Sequence, residues 1–256
     1  MMNPMQLKHT AAVLADVLTF RQPADAVVSA YFRRERKLGR QDRHEIAETV
    51  FAAVRHGQKI SAVLPRPHNQ PRRAALAALV LGRSVNLSAL ADVADEEDMA
   101  FLAEVKARKS EFSGSLNAAA ELPQWLIDTM RADGFDDDAV LAFGRSVVQG
   151  APLDVRVNTL WGRRDKILAA LQAEGLACSP TPYSPWGIRF ADKPALNKHP
   201  LFLDGTLEVQ DEGSQLLALL TGVKRGQMAV DFCAGAGGKT LAMGAMMHGS
   251  GRLYAL

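Results

Sequence analysis

Cysteine is scarce in this sequence of 256 residues, which contains only Cys178 and Cys233. Two cysteines can form neither a disulfide framework nor a four-cysteine zinc site. No apolar run approaches the roughly 18 residues that a membrane-spanning helix requires. The N-terminal residues also lack the basic and apolar regions of a secretory signal. These absences exclude a disulfide-stabilised secreted domain, and they lead us to expect a cytoplasmic protein without a membrane segment.

Aromatic residues are also few, at 6% of the chain, whereas 48% of all residues are apolar. This composition is ordinary for a globular protein and excludes disordered and collagen-like chains. The net charge of +2 is unevenly distributed, since residues 1–91 carry a net +8, residues 92–138 a net −9 and residues 139–256 a net +3. A basic N-terminal third favours nucleic-acid binding slightly over a merely solvated basic surface.

The first 120 or so residues show helical patterns and no strand pattern. Asp42 is predicted to start a helix in which Glu45 completes a capping box and in which Ile46, Val50 and Val54 form an apolar stripe. Further helices are predicted over residues 24–36, 72–82, 123–132 and 136–148. Three consecutive aspartates open the last of these helices. They favour a capping role over metal binding, because consecutive side chains diverge at a helix start; we therefore expect no metal site.

After Gly150 the pattern changes to that of a small α+β unit. Leu153, Val155 and Val157 alternate with polar residues, which predicts a half-buried strand. A helix is expected over 163–174, with strands over 187–190 and 206–209. A third region begins near Gln210, with a helix over 211–221 and then a strand over 228–232, a glycine-rich loop, a helix over 239–248 and a terminal strand. These last elements predict one βαβ unit.

The glycine-rich loop follows Asp231 and fits three kinds of ligand site to different degrees. A P-loop requires glycine at position 233, which is Cys233, although the Gly238-Lys239-Thr240 triplet fits. A dinucleotide-binding turn requires glycine at position 240, which is threonine. A methyltransferase loop requires an acidic residue at the strand end followed by small residues and glycines, and this pattern is fully met.

The surrounding segments then follow in a recognisable order: VQDEGSQ at 209–215, CAGAGGKT at 233–240 and GRLYA at 251–255. Together they resemble the Nop/Sun (RsmB-like) family of S-adenosylmethionine-dependent RNA 5-methylcytosine methyltransferases. The family loop usually reads CAAPGGKT, so Gly235 and Ala236 here replace alanine and proline. Residues 154–160 look like the family's small RNA-binding subdomain, and residues 38–55 look like its NusB-like domain.

This resemblance implies an α/β multi-domain fold. We expect an all-helical NusB-like domain over 1–120, then a helical pair with a small α+β RNA-binding subdomain over 121–206. The start of a Rossmann-like class I methyltransferase domain is expected over 207–256, and the chain is expected to stop inside it. The implied cofactor is S-adenosylmethionine, and the implied partner is RNA, with rRNA favoured. The cofactor-binding residues implied by the family loop are Cys233, Ala234, Gly235, Ala236, Gly237, Gly238 and Lys239, and Asp231 is expected to orient the loop by accepting backbone N–H groups.

In the family, one cysteine thiolate adds to carbon 6 of cytosine and a second cysteine assists release. Neither has a counterpart here, because Cys233 matches a cofactor-loop residue and Cys178 lies in a proline-rich connection. We therefore assign no catalytic residue and expect this polypeptide to hold at most part of the cofactor site. We expect weak or no binding of S-adenosylmethionine and no methylation of RNA. Two alternatives stay open, a non-catalytic RNA-binding module and a P-loop nucleotide hydrolase. The candidate contacts to RNA phosphates are Arg33, Arg34, Arg36, Lys37, Arg40 and Arg43.

Overall fold

Two compact units make up the chain, Met1–Gln149 and Gly150–Leu256. The computed structural model describes residues 2–256, apart from the side chain of Ser113. Within the described residues the first unit contains helices and every assigned strand lies in the second. The chain therefore has a mixed helix and sheet fold, and the change of pattern predicted after Gly150 is confirmed.

The first unit is a helical domain built around a buried central helix. All residues from Ala74 to Val80 in that helix are buried, because it is surrounded by its neighbours on every side. The first and third helices make its largest packing contacts. The helices are α1 (Pro4–Val17), α2 (Ala24–Arg34), α3 (Arg40–Arg55), α4 (Gly57–Val63), α5 (Pro71–Leu81), α6 (Glu96–Ala107), α7 (Leu116–Ala120), α8 (Gln124–Ala132) and α9 (Asp137–Val148).

The start of α3 differs from the predicted capping box. The helix begins two residues earlier than expected, and the Asp42 carboxylate accepts a hydrogen bond from the backbone N–H of Gly39 at 3.2 Å. The Glu45 carboxylate instead accepts one from Nη1 of Arg83 at 2.8 Å. The capping role predicted for Glu45 is therefore wrong, since a distant arginine competes for its carboxylate.

The helices α7 to α9 belong to the first unit, although the sequence predicts a domain boundary at 120/121. Gly144 of α9 is buried against the backbone of Ala120 at the end of α7. Next to it, the Glu121 side chain is 2% exposed and lies 3.0 Å from Nδ1 of His56 and 3.2 Å from Nζ of Lys59. Glu121 also accepts backbone N–H groups at the start of α4. These contacts tie the segment after residue 120 to the preceding helices.

Asp136 caps α9, as predicted for the aspartate run. Its carboxylate accepts a hydrogen bond from the backbone N–H of Ala139 at 2.8 Å. Among residues 2–256, no three histidine, cysteine, aspartate or glutamate side chains are grouped closely enough to hold a metal ion. The same part of the chain contains no helix that is both long and apolar enough to cross a membrane.

The second unit begins with a four-stranded antiparallel sheet. Its strands are β1 (Leu153–Val157), β2 (Cys178–Pro180), β3 (Gly187–Phe190) and β4 (Leu207–Val209), in the spatial order β2-β3-β1-β4. One face is apolar and packs against α10 (Arg164–Ala173), mainly through Val155, Ile188 and Leu171. The strand β2 is absent from the sequence prediction, because Pro180 and the prolines that follow it are typical of turns.

The strand β1 is buried on both faces, not half-buried as its alternating pattern predicts. Its polar residues Asp154 and Arg156 are only 3% and 1% exposed. The helix α12 (Glu212–Leu220) contacts β1, while a short helix α11 (Pro200–Leu203) precedes β4. The polar face of the sheet is therefore covered as well, and its charges are paired inside the unit.

The second unit ends with the predicted βαβ arrangement. The strand β5 (Met228–Asp231) pairs in parallel with β6 (Arg252–Ala255), with Asp231 opposite Ala255. The helix α13 (Gly238–Met246) connects the two strands and packs on α12. The glycine-rich loop thus lies at the carboxyl end of a parallel strand, where sheets of this kind bind their ligands.

Candidate functional site

All seven predicted cofactor residues lie in one loop and the first turn of the helix that follows. The loop contains two residues with left-handed backbone angles, Gly235 at φ +55° and Gly237 at φ +86°. A Cβ atom at either position would meet no other atom within 4 Å. The loop therefore needs glycine for its conformation and leaves open space beside its backbone, as close approach of a ligand requires.

Short backbone hydrogen bonds fix the shape of this loop. The N–H of Gly237 donates to the carbonyl of Ala234 at 2.8 Å, and the N–H of Ala234 donates to the carbonyl of Leu256 at 3.2 Å. Because α13 begins at Gly238, its first N–H groups have no acceptor within the helix. These groups and the helix dipole make the start of α13 suitable for an anionic or acceptor group.

Asp231 supports the loop in a different way from the expected one. Its carboxylate Oδ2 accepts a hydrogen bond from Oγ1 of Thr240 at 2.6 Å. The predicted acceptance of loop N–H groups is not observed among the described residues. Asp231 instead connects the end of β5 to the first turn of α13. Its hydrogen bond thereby links the two ends of the loop.

Lys239 and Asp211 carry opposite charges beside the start of α13. The Asp211 carboxylate caps α12 by accepting the backbone N–H of Ser214 at 2.9 Å. Hydrogen bonds from the side chain of Ser214 and then from its backbone N–H chiefly lower the pKa of Asp211, and the positive charge of Lys239 contributes to the same shift. Lys239 is half-buried and is therefore not a freely solvated side chain.

Gln210 is a residue of this site to which the sequence pattern assigns no role. It is 7% exposed, and its Oε1 accepts a hydrogen bond from Nε of Arg156 at 2.7 Å. Its Nε2 lies 3.3 Å from the position that a Cβ atom of Gly238 would take. Its position in the VQDEGSQ segment is the sequence feature that could indicate a role in the site. Its partner Arg156, however, lies 54 positions away in the chain and is not evident from the sequence.

A network of buried charges joins the antiparallel sheet to α12. Arg189 donates two hydrogen bonds of 2.7 Å to the carboxylate of Asp154. Glu212 accepts the backbone N–H groups of Tyr183 and Ser184 at 2.6 and 2.8 Å. Burial raises the pKa of Glu212, but these hydrogen bonds and the charge of Arg189 outweigh it, so the pKa lies below its usual value. The sheet and the loop-bearing helices are thus connected by polar contacts.

The two cysteines lie in different elements of the second unit. Cys178 is half-buried in β2, and burial raises the pKa of its thiol, which disfavours the nucleophilic thiolate. Cys233 is exposed in the loop. They therefore do not form a pair of neighbouring thiols.

The basic cluster of the helical domain is divided into engaged and free side chains. The Arg34 guanidinium lies 5.0 Å from the ring centre of Tyr31, and Arg43 donates to the carbonyl of Leu38 at 3.0 Å. Four other cations are exposed and form no ion pair among the described residues: Arg33, Arg36, Lys37 and Arg40. These four are the ones available for contact with phosphates.

Comparison with known proteins supports the predicted relationship. Residues 122–197 match the family model described as Methyltr_RsmF/B-like, ferredoxin-like domain. The ribosomal RNA small subunit methyltransferase B of Pseudomonas syringae pv. tomato is 34% identical over 119 residues, which are 46% of this chain and 26% of that protein. The resemblance to the Nop/Sun (RsmB-like) family is confirmed. The protein of the same name from Xylella fastidiosa (strain Temecula1) is 32% identical over 124 residues, 48% of this chain and 28% of that relative.

The matched segment spans only about a quarter of the length of these curated relatives. The crystal structure of the protein PH0851 matches 100% of this chain and 63% of its own, with a TM-score of 0.67 and 18% identity, which shows a shared fold. The match to the RsmF/B-like model runs across the junction of the two compact units and begins near the predicted boundary at 120/121. The three-domain division and the NusB-like character of the helical domain stay predictions.

Proposed function

We propose that this chain binds RNA and S-adenosylmethionine for the methylation of carbon 5 of a cytosine in ribosomal RNA. One observation carries the proposal: a segment that matches the RsmF/B-like domain is followed by a loop with a methyltransferase pattern and two left-handed glycines. The residues fit the cofactor, because the loop backbone is open on one side and the start of α13 offers free N–H groups. When bound, the cofactor would supply the methyl group.

The two proposed binding roles, for RNA and for the cofactor, fall on different parts of the chain. The exposed cations of the α2–α3 region would contact RNA phosphates, and the residues 233–239 would hold the cofactor. No cysteine pair is placed for addition to a base and its release, so we propose that the polypeptide as it stands binds without transferring the methyl group. Methyl transfer to RNA by this polypeptide would contradict that part of the proposal.

The cofactor proposal can be tested with a matched pair of glycine variants. Gly237 and Gly134 have similar left-handed angles, +86° and +89°, and both have open space around them. Either change to alanine therefore introduces the same kind of backbone strain, about 1–2 kcal/mol, but only Gly237 lies in the loop. We expect Gly237→Ala to weaken S-adenosylhomocysteine binding, while Gly134→Ala in the helical domain leaves it unchanged.

The measurement is a two-dimensional NMR titration of the full chain, which also quantifies weak binding. Amide shifts at residues 233–240 with S-adenosylhomocysteine, lost in Gly237→Ala, would support the proposal. ATP serves as the competing ligand. Shifts of the same amides with ATP and none with S-adenosylhomocysteine would instead favour a nucleotide-binding loop, as the P-loop alternative requires.

A further inference from the structure

The orientation of the Gln210 carboxamide follows from its buried partner. Arginine has donors and no acceptor, so the group that faces Nε of Arg156 must be the oxygen Oε1. The distance between these two atoms is 2.7 Å. The amide nitrogen Nε2 consequently points to the other side, where the first residue of α13, Gly238, lies. The protein therefore presents an N–H donor, and not a carbonyl oxygen, to the start of this helix.

This donor has no partner within the described part of the chain. Gln210 is more than nine-tenths buried, its backbone groups bond to Asp154 and Gln215, and its Oε1 is occupied by Arg156. Its Nε2 nevertheless donates no hydrogen bond within residues 2–256. No fully buried side-chain nitrogen or oxygen of the described residues lacks a partner, so Nε2 keeps a small accessible surface. A ligand acceptor can reach it there, beside the first N–H groups of α13.

Arg156 is itself held in a fixed position. Its side chain is 1% exposed, and its second donor group bonds to the carboxylate of Glu208. An arginine between a carboxylate and an amide oxygen has little rotational freedom, so it fixes the amide as well. Arg156 thus acts on the loop through Gln210 and does not reach it directly.

The ligand group that fits here is an anionic acceptor. The amide nitrogen of Gln210 and the first N–H groups of α13 are donors beside the same turn, to which Lys239 also belongs. The Asp211 carboxylate nearby accepts hydrogen bonds from Ser214, and the positive charge of Lys239 acts on it and offsets its negative charge. In S-adenosylmethionine, the carboxylate of the methionine part is the group that matches such a set of donors.

We propose that Gln210 binds the carboxylate of the methionine part of the cofactor, and that Arg156 is the positioning residue that aims the Gln210 amide. This inference rests on the proposed function and deepens it, since it names the ligand group that the site selects. It also assigns a role in cofactor binding to the polar face of the antiparallel sheet.

The variant Gln210→Glu tests the proposal with little change of shape. A glutamate keeps an oxygen for Nε of Arg156 but replaces the N–H donor by a second carboxylate oxygen, which repels the ligand carboxylate. The matched control is Gln227→Glu, at the other end of β5, where Oε1 accepts the backbone N–H of Lys224 at 2.7 Å. The control adds the same charge to the same unit and also keeps its hydrogen bond.

Two ligands separate a specific contact from a general weakening of the loop. S-adenosylhomocysteine carries the amino-acid group, and 5′-methylthioadenosine is the corresponding thioether without it. We expect Gln210→Glu to lower the affinity for S-adenosylhomocysteine at least tenfold and to leave that for 5′-methylthioadenosine within twofold. Arg156→Lys should weaken the first ligand alone, because lysine cannot bond to Gln210 and Glu208 in the same fixed geometry.

The possible outcomes distinguish this inference from the proposed function. Equal losses for both ligands in Gln210→Glu, or no loss for either, would overturn the inference and leave cofactor binding intact. A wild-type chain that binds neither ligand in NMR titrations would overturn both. A similar loss of S-adenosylhomocysteine affinity in Gln227→Glu would show an effect of charge alone and would also contradict the role of Gln210.

Discussion

Gly144 offers a test of whether the helical pair, α8 and α9, packs on the preceding helices of the first unit. A Cβ atom at this position would lie 2.2 Å from the carbonyl oxygen of Ala120 and 2.7 Å from its Cα. These are backbone atoms, so α9 would have to move away from α7 by more than an ångström to restore ordinary contact. Overpacking of this kind costs about 1–3 kcal/mol, and the better helix propensity of alanine returns at most about 1 kcal/mol. We expect Gly144→Ala to destabilise the α7–α9 contact by about 1–2 kcal/mol.

Hydrogen exchange measured by mass spectrometry can localise this loss. We expect the peptides that cover α7 and α9 to exchange about 5–30 times faster in Gly144→Ala, the factor that corresponds to one or two kcal/mol. The control is Gly57→Ala, since a Cβ atom at Gly57 meets nothing within 4 Å. Unchanged or slower exchange at α7 and α9 in Gly144→Ala would refute the packing argument. It would also favour placing the helical pair outside the first unit.

Three further predictions concern charge. Replacing Arg36 and Lys37 by glutamine should weaken binding of a labelled rRNA fragment uniformly across sequences and reduce the salt slope by about 2, whereas Lys106→Gln on the acidic segment should change neither. Glu121→Gln should destabilise the first unit by about 2 kcal/mol or more in urea unfolding, because the half-buried ammonium of Lys59 loses its counter-charge; an unchanged midpoint would contradict this. The pKa of Glu212 is lowered on folding, so its contribution is present above the unfolded pKa and is lost as the pH falls below about 4.5; Glu212→Gln should flatten this acid loss in the second unit, and an equally steep profile would argue against it.

The elements that were predicted well are those with a strong local signal. The observed α5 and β3 match the predicted segments within one residue, because an alanine- and leucine-rich run and a strand between turn residues are local patterns. The strand β2 was missed, since Pro180 reads as a turn residue and only pairing with β3 makes its segment extended. Local sequence carries no information about such a partner.

In the candidate site, too, features with a local sequence signal could be predicted and those that depend on distant residues could not. The loop 233–239 could be predicted because its chemistry depends on consecutive small residues. The role of Glu45 was predicted wrongly and that of Gln210 was not predicted at all, because their partners Arg83 and Arg156 come from distant parts of the chain. The burial of Asp154 likewise depends on α12, which covers a face that the alternating pattern assigns to solvent.

The loop sequence has a consequence for the entropy of binding. Where the related loops usually have alanine and proline, this chain has Gly235 and Ala236, and Gly235 adopts a left-handed angle. Each replacement by a residue with more backbone freedom adds about 0.4–1 kcal/mol to the free-energy cost of ordering the backbone. A ligand must therefore restrict a loop with more backbone freedom. The same set of contacts would give an affinity several-fold lower than in a loop whose backbone is restricted by proline.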